Sequence, residues 1–491
     1  MHARYVIGID QSTQGTKAIL TDREGEIVGK AFLPHEQIIS PEGWVSHDGE
    51  EIYRNVIAVV RQLIESAAIN KKDVAAIGIS NQRETTIAWD RETGKPVEHA
   101  IVWQCARARE ITAAITDEAF RAAVREKTGI PLSPYFPAAK AAWIMKNNAH
   151  ARDLAAKKQL CIGTIDSFLV YKLTEGAVFQ TDYSNASRTQ LLNLHTLQWD
   201  GEICDALGVP MDALPRVTDS DGDFGATTLA GFFDEPVPIR AVLGDSHAAL
   251  FGQGCVQPGM AKATYGTGSS IMMNIGSDFK QSDSGLVTSL AWGRGGKVDY
   301  VLEGNINYSG AVITWLQKDL GLIESAKETA ALAKEANSED TTYLVPAFSG
   351  LGAPYWKDEA RAAFVGMSRT TGRKELVKAG LEAIAYQVTD IVEAMSRDSG
   401  VQLNELLVDG GPTGNDYLMQ FQSDMSRAAI RVPKAEELSA MGAAFLAGMG
   451  AGIYDESILQ RDRVKTSYEP KMDMDTRNAK YDGWKQAVSK V

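Results

Sequence analysis

Three short turns carry the residues best suited to hold phosphate: Asp10–Lys17 (DQSTQGTK), Tyr265–Ser269 (YGTGS) and Asp409–Asn415 (DGGPTGN). Each leaves an apolar run that reads as a strand, so Gly-rich backbone N–H groups are exposed where phosphate oxygens can accept from them. In the first turn Ser12, Thr13 and Thr16 add hydroxyls and Lys17 adds a positive charge, while Asp10 can hold Mg²⁺ through water. Taken singly, each turn is also what any polar hairpin requires. Their combination in one chain is more specific.

Two further positions stand at strand exits, where ligand groups are favoured. The motif NQRE occupies 81–84 after the buried run DVAAIGIS, and Asp245 follows IRAVLG. The Asp245 carboxylate can receive a hydroxyl proton there, or it can cap a helix over 246–252. No GxxxxGK[ST] sequence occurs, and no Gly cluster has GxGxxG spacing between a strand and a helix, so P-loop and dinucleotide readings fail.

The elements that must position these groups are of α/β type. RYVIGID and KAILTD flank QSTQGT as a hairpin, a helix with period near 3.6 runs over Glu50–Ile69, and DVAAIGIS follows as a buried strand. TTIAWD and HAIVWQ form a second expected hairpin, and Ala- and Lys-rich helices are expected over 107–126 and 137–158. The second half echoes the first: AKATY, the GTGSS turn and IMMNIG, then the strands VTSLAW and DYVLEG. Helices are expected around Lys374–Arg397 and Ser439–Met449, and the polar tail beyond about 465 is expected to lie on the surface. This places a domain boundary near 245–255, with residues 1–248 as one domain and 249–491 as the other.

Composition narrows the partners. With 491 residues and 44% apolar content the chain can fill at least two cores. A net charge of −13, from 50 basic against 63 acidic residues, disfavours nucleic acid. Cys105, Cys161, Cys204 and Cys255 form no CxxC pair, so neither a zinc cluster nor a disulfide framework is indicated. No stretch of about 18 uncharged apolar residues and no secretion signal is present, giving a cytoplasmic expectation and no membrane span.

Over nearly its whole length the chain resembles the FGGY carbohydrate kinases. The likeness rests on AIGISNQRETTIAW, ETGKP, IVWQC, TDYSNASRT, AFSGLGAPYW and LMQFQSD, and on the signatures YFPAAKAAWI (135–144) and AAFVGMSRTTGRKELVKAGLE (362–382), with Gly380 departing from the family pattern. The resemblance implies two ribonuclease H-like domains of the actin, hexokinase and heat-shock chaperone ATPase superfamily with an interdomain cleft. It further implies phosphoryl transfer from ATP, with Mg²⁺, to a terminal hydroxyl of a small polyol, glycerol first among them, and assembly as a homodimer or homotetramer. Carried over residue by residue, it places Arg83, Glu84, Trp103, Tyr135 and Asp245 around the polyol. Around the nucleotide it places Thr13, Gln14, Gly15, Lys17, Thr267, Gly310, Gly411 and Asn415, with Thr314 where a Gln is usual. Arg83, Glu84 and Tyr135 supply donors and acceptors for hydroxyls, and Trp103 an apolar wall. The plainer alternative is a surface Arg–Glu pair beside a core tryptophan. An actin- or chaperone-like ATP-driven binding module is the competing class, and it would need none of this polyol set.

Three departures from the resembled family bear on the acceptor and its control. Ser246 and His247 stand where its glycerol-phosphorylating members carry two glutamines, and Ser270 stands where they carry Phe. Both serines leave space and Ser270 also adds a hydroxyl, which points toward a longer or more hydroxylated substrate such as a four-carbon polyol or a ketose. His247 can either contact an added hydroxyl or pack away from the site. The stretch LAGFFDEPVPIR lacks the Gly- and Arg-bearing loop that binds fructose 1,6-bisphosphate in many relatives, so inhibition by that sugar phosphate is not expected.

Overall fold

The computed structural model describes residues 4–461 and 463–491. Its first half is built on a sheet of β1 (Tyr5–Gln11), β2 (Gly15–Thr21), β3 (Ile27–Pro34), β4 (Val74–Asn81) and β5 (Val237–Gly244) in the order 5-4-1-2-3, with Ala226–Thr227 at the outer edge. The β1–β2 hairpin is antiparallel, while β4 runs parallel to β1 and β5 parallel to β4.

The second half repeats the plan. Here β6 (Met260–Tyr265) and β7 (Ser269–Gly276) form the hairpin, β8 (Val287–Arg294) and β9 (Lys297–Ile306) extend it, and β10 (Glu405–Asp409) and β11 (Ala429–Pro433) lie on the other side. Again the strand beside the hairpin is parallel to its first member, β10 to β6 and β11 to β10. This duplication is the ribonuclease H-like pairing expected from the echo between the two halves.

Register explains why distant segments meet. Gln11 pairs with Asn81 and Asn81 with Gly244, so β1, β4 and β5 end level, and Ser12, Gln82–Glu84 and Asp245 emerge side by side. Likewise Thr264 pairs with Asp409, bringing the GTG and DGG turns to one end of the second sheet. In open α/β sheets ligands gather beyond the carboxyl ends of the strands.

The helices that matter to the site are α1 (Gly49–Ala67), α2 (Pro137–Asn147), α3 (Asp245–Gly252), α4 (Gly310–Lys318), α5 (Arg373–Ser399), α6 (Leu438–Gly450) and α7 (Met474–Ser489). α1 is held by its Asp48 cap, which accepts from the Glu50 N–H, and by an apolar face of Ile52, Val56, Val59, Val60 and Leu63. α6 comes late in the chain, yet it packs on β1, β4 and β5 of the first sheet and on α3. Its Ala444, Phe445 and Ala447 share one core with Val6, Ala76 and Leu243.

Three expectations need correction. The helices over 107–126 and 137–158 are each two, Arg109–Ala114 with Glu118–Thr128, and Pro137–Asn147 with Ala149–Ala156. Asp117 and Asn148 adopt extended backbone and cap the second member of each pair, which breaks the run. The strand expected at HAIVWQ is only Ala100–Ile101. The tail is not purely superficial: Trp484 of α7 is fully buried, stacks on Tyr386 at 5.2 Å, and donates its indole N–H to Asp390.

Candidate active site

Asp10 lies one residue from the end of β1 and Asp245 opens α3, and the Asp245 charge bears on Asp10 across the level strand ends. Burial and then Asp245 raise Asp10 to about 7, against a hydrogen bond of 2.9 Å from the Ser80 hydroxyl and the positive charge of Lys17. Burial also raises Asp245, although the Arg83 guanidinium opposes it. The helix cap is Gly244 rather than Asp245, whose Oδ1 accepts from the next residue's N–H at 2.6 Å. Asp245 is about 35% exposed.

Arg83 and Glu84 are both buried and are not a surface pair. Arg83 donates Nη1 and Nη2 to the two oxygens of Glu303 at 2.8 and 3.0 Å and turns Nε to Asp245 at 3.2 Å. Glu84 accepts from Arg188 Nε at 2.6 Å, and Arg188 Nη1 lies 3.1 Å from Glu303. The result is a chain of alternating charge: Asp245, Arg83, Glu303, Arg188, Glu84. Burial works against Glu303, yet Arg188 and Arg83 together hold its carboxyl well below the usual range.

Glu303 and Arg188 escaped the sequence reading. Glu303 sits in an ordinary strand, and Arg188 in the turn after the short helix Tyr183–Ala186, away from the Gly-rich turns and strand exits that drew attention in the sequence. One signal for Arg188 was present: TDYSNASRT is crowded with side chains that bond backbone. In the structure Asn185 exchanges amide hydrogen bonds with Asn81, and the Ser184 hydroxyl accepts from Gly244 N–H. That segment therefore ties two of the three strand ends together.

Trp103 is half-buried rather than a core residue; its indole N–H donates to Thr13 Oγ1 at 3.0 Å and its ring lies 5.6 Å from that of Tyr135. The Asp10–Lys17 turn is thus joined to the Trp103–Tyr135 ring pair. Burial first, and then Glu84, pushes the Tyr135 hydroxyl far above its ordinary value, keeping it a neutral donor. Lys140, fully buried and lowered to about 7 by burial, donates to the Tyr135 carbonyl and anchors the start of α2.

Ser246 is half-buried beside Asp245. Ser270 pairs with Thr264 and Asn305 and stands on the same sheet face as Glu303, two residues along β9 from Asn305. Its hydroxyl is buried and has no hydrogen-bond partner. His247 is fully buried with Nε2 3.2 Å from Ser289 Oγ, packed behind the site.

At the ends of the second sheet, Gly310 N–H donates to Gly266 O at 2.9 Å and Ser309 N–H to Thr267 O at 2.9 Å, which pins the GTG turn to the start of α4. Gly410 has φ +101° and lies so near Tyr265 that a Cβ would stand 2.0 Å from its carbonyl oxygen, so only glycine fits. Gly310, Thr314, Gly411 and Asn415 line a cavity of about 520 Å³ with Ile313 and Leu418 as apolar walls. The Asn415 amide is already engaged, capping the next helix at Leu418 N–H and donating to Thr329. Gln14 and Gly15 lie in the first turn, where a Cβ on Gly15 would meet Leu33 O at 2.5 Å. Lys17 is ion-paired with Glu437 just before α6.

Among the described residues no group of three or more His, Cys, Asp or Glu could hold a metal. Asp10 and Asp245 nevertheless suit a hard, mostly hydrated cation that completes its sphere with water and phosphate oxygens. Asp10, raised by burial and by the Asp245 charge, carries the strain such a cation would relieve.

A duplicated ribonuclease H-like sheet pair, with Gly-rich turns at the strand ends and a buried charged cluster beside them, is the architecture of the actin, hexokinase and heat-shock chaperone ATPase superfamily. Residues 5–252 match the N-terminal domain and 261–451 the C-terminal domain of the FGGY family of carbohydrate kinases. The chain belongs to that family. It is 46% identical to glycerol kinase of Alkaliphilus oremlandii, over 99% of this chain and 97% of that one. It is equally 46% identical to glycerol kinase of Carboxydothermus hydrogenoformans, over 100% and 99%. The fold superposes on Plasmodium falciparum glycerol kinase with ADP at TM-score 0.93 and 36% identity, covering 99% and 98% of the two chains. A xylulose kinase from Lactobacillus acidophilus shares the fold at TM-score 0.85 and 23% identity, covering 97% and 95%.

Proposed function

We propose that this enzyme transfers the γ-phosphoryl group of ATP to a terminal hydroxyl of a small polyol, with glycerol giving glycerol 3-phosphate as the leading reaction. The observation that carries this is the charged chain that runs from Asp245 to Glu84, with Glu84 bearing on Tyr135 of the Thr13–Trp103–Tyr135 wall. Residues 1–248 supply the polyol groups and first phosphate turn, and 249–491 the second phosphate turn and adenosine cavity.

Arg83 and the Tyr135 hydroxyl donate to substrate oxygens, Glu84 accepts, and Trp103 covers the carbons. Asp245 takes the hydroxyl proton late, since even a raised carboxylate is far too weak a base to ionise an alcohol beforehand. Thr13, Gln14, Gly15, Lys17 and Thr267 hold phosphates, and Gly310, Thr314, Gly411 and Asn415 border the adenosine. Mg²⁺, held by Asp10 through water, would neutralise charge on the transferring phosphoryl group.

A second reading extends the acceptor. The unpartnered Ser270 hydroxyl and the short Ser246 favour an erythritol-, erythrulose- or pentulose-like substrate with more oxygens than glycerol. ATP consumption across glycerol, erythritol, dihydroxyacetone, erythrulose and pentuloses separates the cases. Equal rates with and without every acceptor would sink the kinase reading, and a hundredfold or greater preference for glycerol would sink the extended one.

A further inference from the structure

We propose that Glu303 and Arg188 are positioning residues, Glu303 fixing the guanidinium of Arg83 with its Nε toward Asp245, and Arg188 fixing Glu84. This rests on the phosphoryl-transfer reading above. An arginine presents five donors in a planar fork, and a carboxylate that takes both Nη groups sets the plane of that fork. Glu303 does this to Arg83, so one nitrogen is left to face Asp245. Without Glu303 the fork is free to turn onto Asp245 and occupy the lone pairs that must receive the substrate proton.

Glu303 comes from the far half of the chain but is rigidly placed. The strands around it are fastened to the segment that carries Arg188: Leu290 N–H donates to Ser187 Oγ at 3.0 Å and Tyr300 hydroxyl to Leu194 O at 2.9 Å. Charge is balanced as well as geometry. Three carboxylates face two guanidiniums, a net of −1; losing Glu303 gives 0 and losing Arg188 gives −2, while losing both restores −1.

The test uses the full-length enzyme and steady-state kinetics with acceptor and ATP varied separately. Glu303→Gln should lower kcat/KM for the acceptor by roughly a hundredfold, through a higher acceptor KM and a lower kcat, with ATP KM held within about threefold. The double variant Glu303→Gln with Arg188→Gln should exceed the product of the two single effects by about tenfold or more, because it regains the charge balance. Glu303→Asp and Arg188→Lys keep the charges and should retain more activity than the Gln variants; they carry the test if Glu303→Gln does not fold. Losses that simply multiply, or a fall in kcat with both KM values unchanged, would overturn the proposal as mere loss of folded enzyme. Absence of acceptor-dependent turnover in the wild type would instead overturn the phosphoryl-transfer reading, and this one with it.

Discussion

Lys17 of the first phosphate turn is paired with Glu437, the residue just before α6, so the cation expected to meet phosphate is held by a carboxylate from the other end of the chain. Lys17 also stands opposite Asp10 in the hairpin, and both Lys17 and Glu437 bear on the Asp10 charge. A phosphate that recruits Lys17 must therefore compete with Glu437. Glu437→Gln should lower the ATP KM by about two- to fivefold and leave stability within about 1 kcal/mol, since a partly exposed pair contributes little to folding. Kinetics with ATP as the varied substrate, beside a thermal melt, check this. An unchanged ATP KM would show that Lys17 does not reach phosphate.

Asp245→Asn keeps the shape of the site and removes the proton acceptor. Loss of a positioned general base costs about 10²–10⁴ in rate, so kcat should fall by that factor while the ATP dissociation constant stays within about threefold. Turnover and calorimetric ATP binding on the same preparation make the comparison. Retained turnover would remove Asp245 from the mechanism.

Gly442 marks where α6 crosses α3 almost in contact. A Cβ there would lie 1.8 Å from the carbonyl oxygen of Ala248, and Gly8 and Gly78 make the same kind of approach to Ala440 and Ala443. Backbone cannot retreat as a flexible side chain can, so Gly442→Ala should destabilise by about 3 kcal/mol or more. Denaturant unfolding measures it. A loss below about 1 kcal/mol would mean the helices slide apart freely.

These cases show where the sequence was informative. Turn chemistry is local, so Asp10–Lys17, the GTG and DGG turns and the strand exits before Arg83 and Asp245 could be read directly. The level ends of β1, β4 and β5 could not, because register depends on hydrogen bonds between segments far apart in the chain. Glu303 was invisible for that reason: in DYVLEG it looks like any acidic residue on a strand, and only its pairing with Arg83, 220 residues away, reveals it. The α7 tail was missed although a signal existed. Tyr481, Trp484 and Val488 recur at helical spacing, but the polar residues between them obscured the stripe. Lys17 was legible as a cation and illegible as a paired one.

Asp10 gives a stability prediction with a definite sign. Its carboxyl is raised from 3.8 to about 7 by burial and by Asp245, so the folded protein binds that proton more tightly than the unfolded chain does. By linkage, its contribution is favourable below the unfolded value and is lost as pH rises through the interval from about 4 to about 7. Asp166 and Asp390, also raised to about 7, follow the same course and make the total curve hard to assign. The difference between wild type and Asp10→Asn isolates the one group. The variant should gain about 4 kcal/mol relative to wild type between pH 4 and 7, with the gain flat above that, even as it loses most kinase activity. Mg²⁺ with nucleotide should shrink the gap at pH 8, because a bound cation stabilises only the carboxylate. Melts at matched ionic strength across that range provide the measurement. A difference that does not vary with pH would mean that Asp10 is already ionised at acid pH, and that its charge is not held under strain beside Asp245.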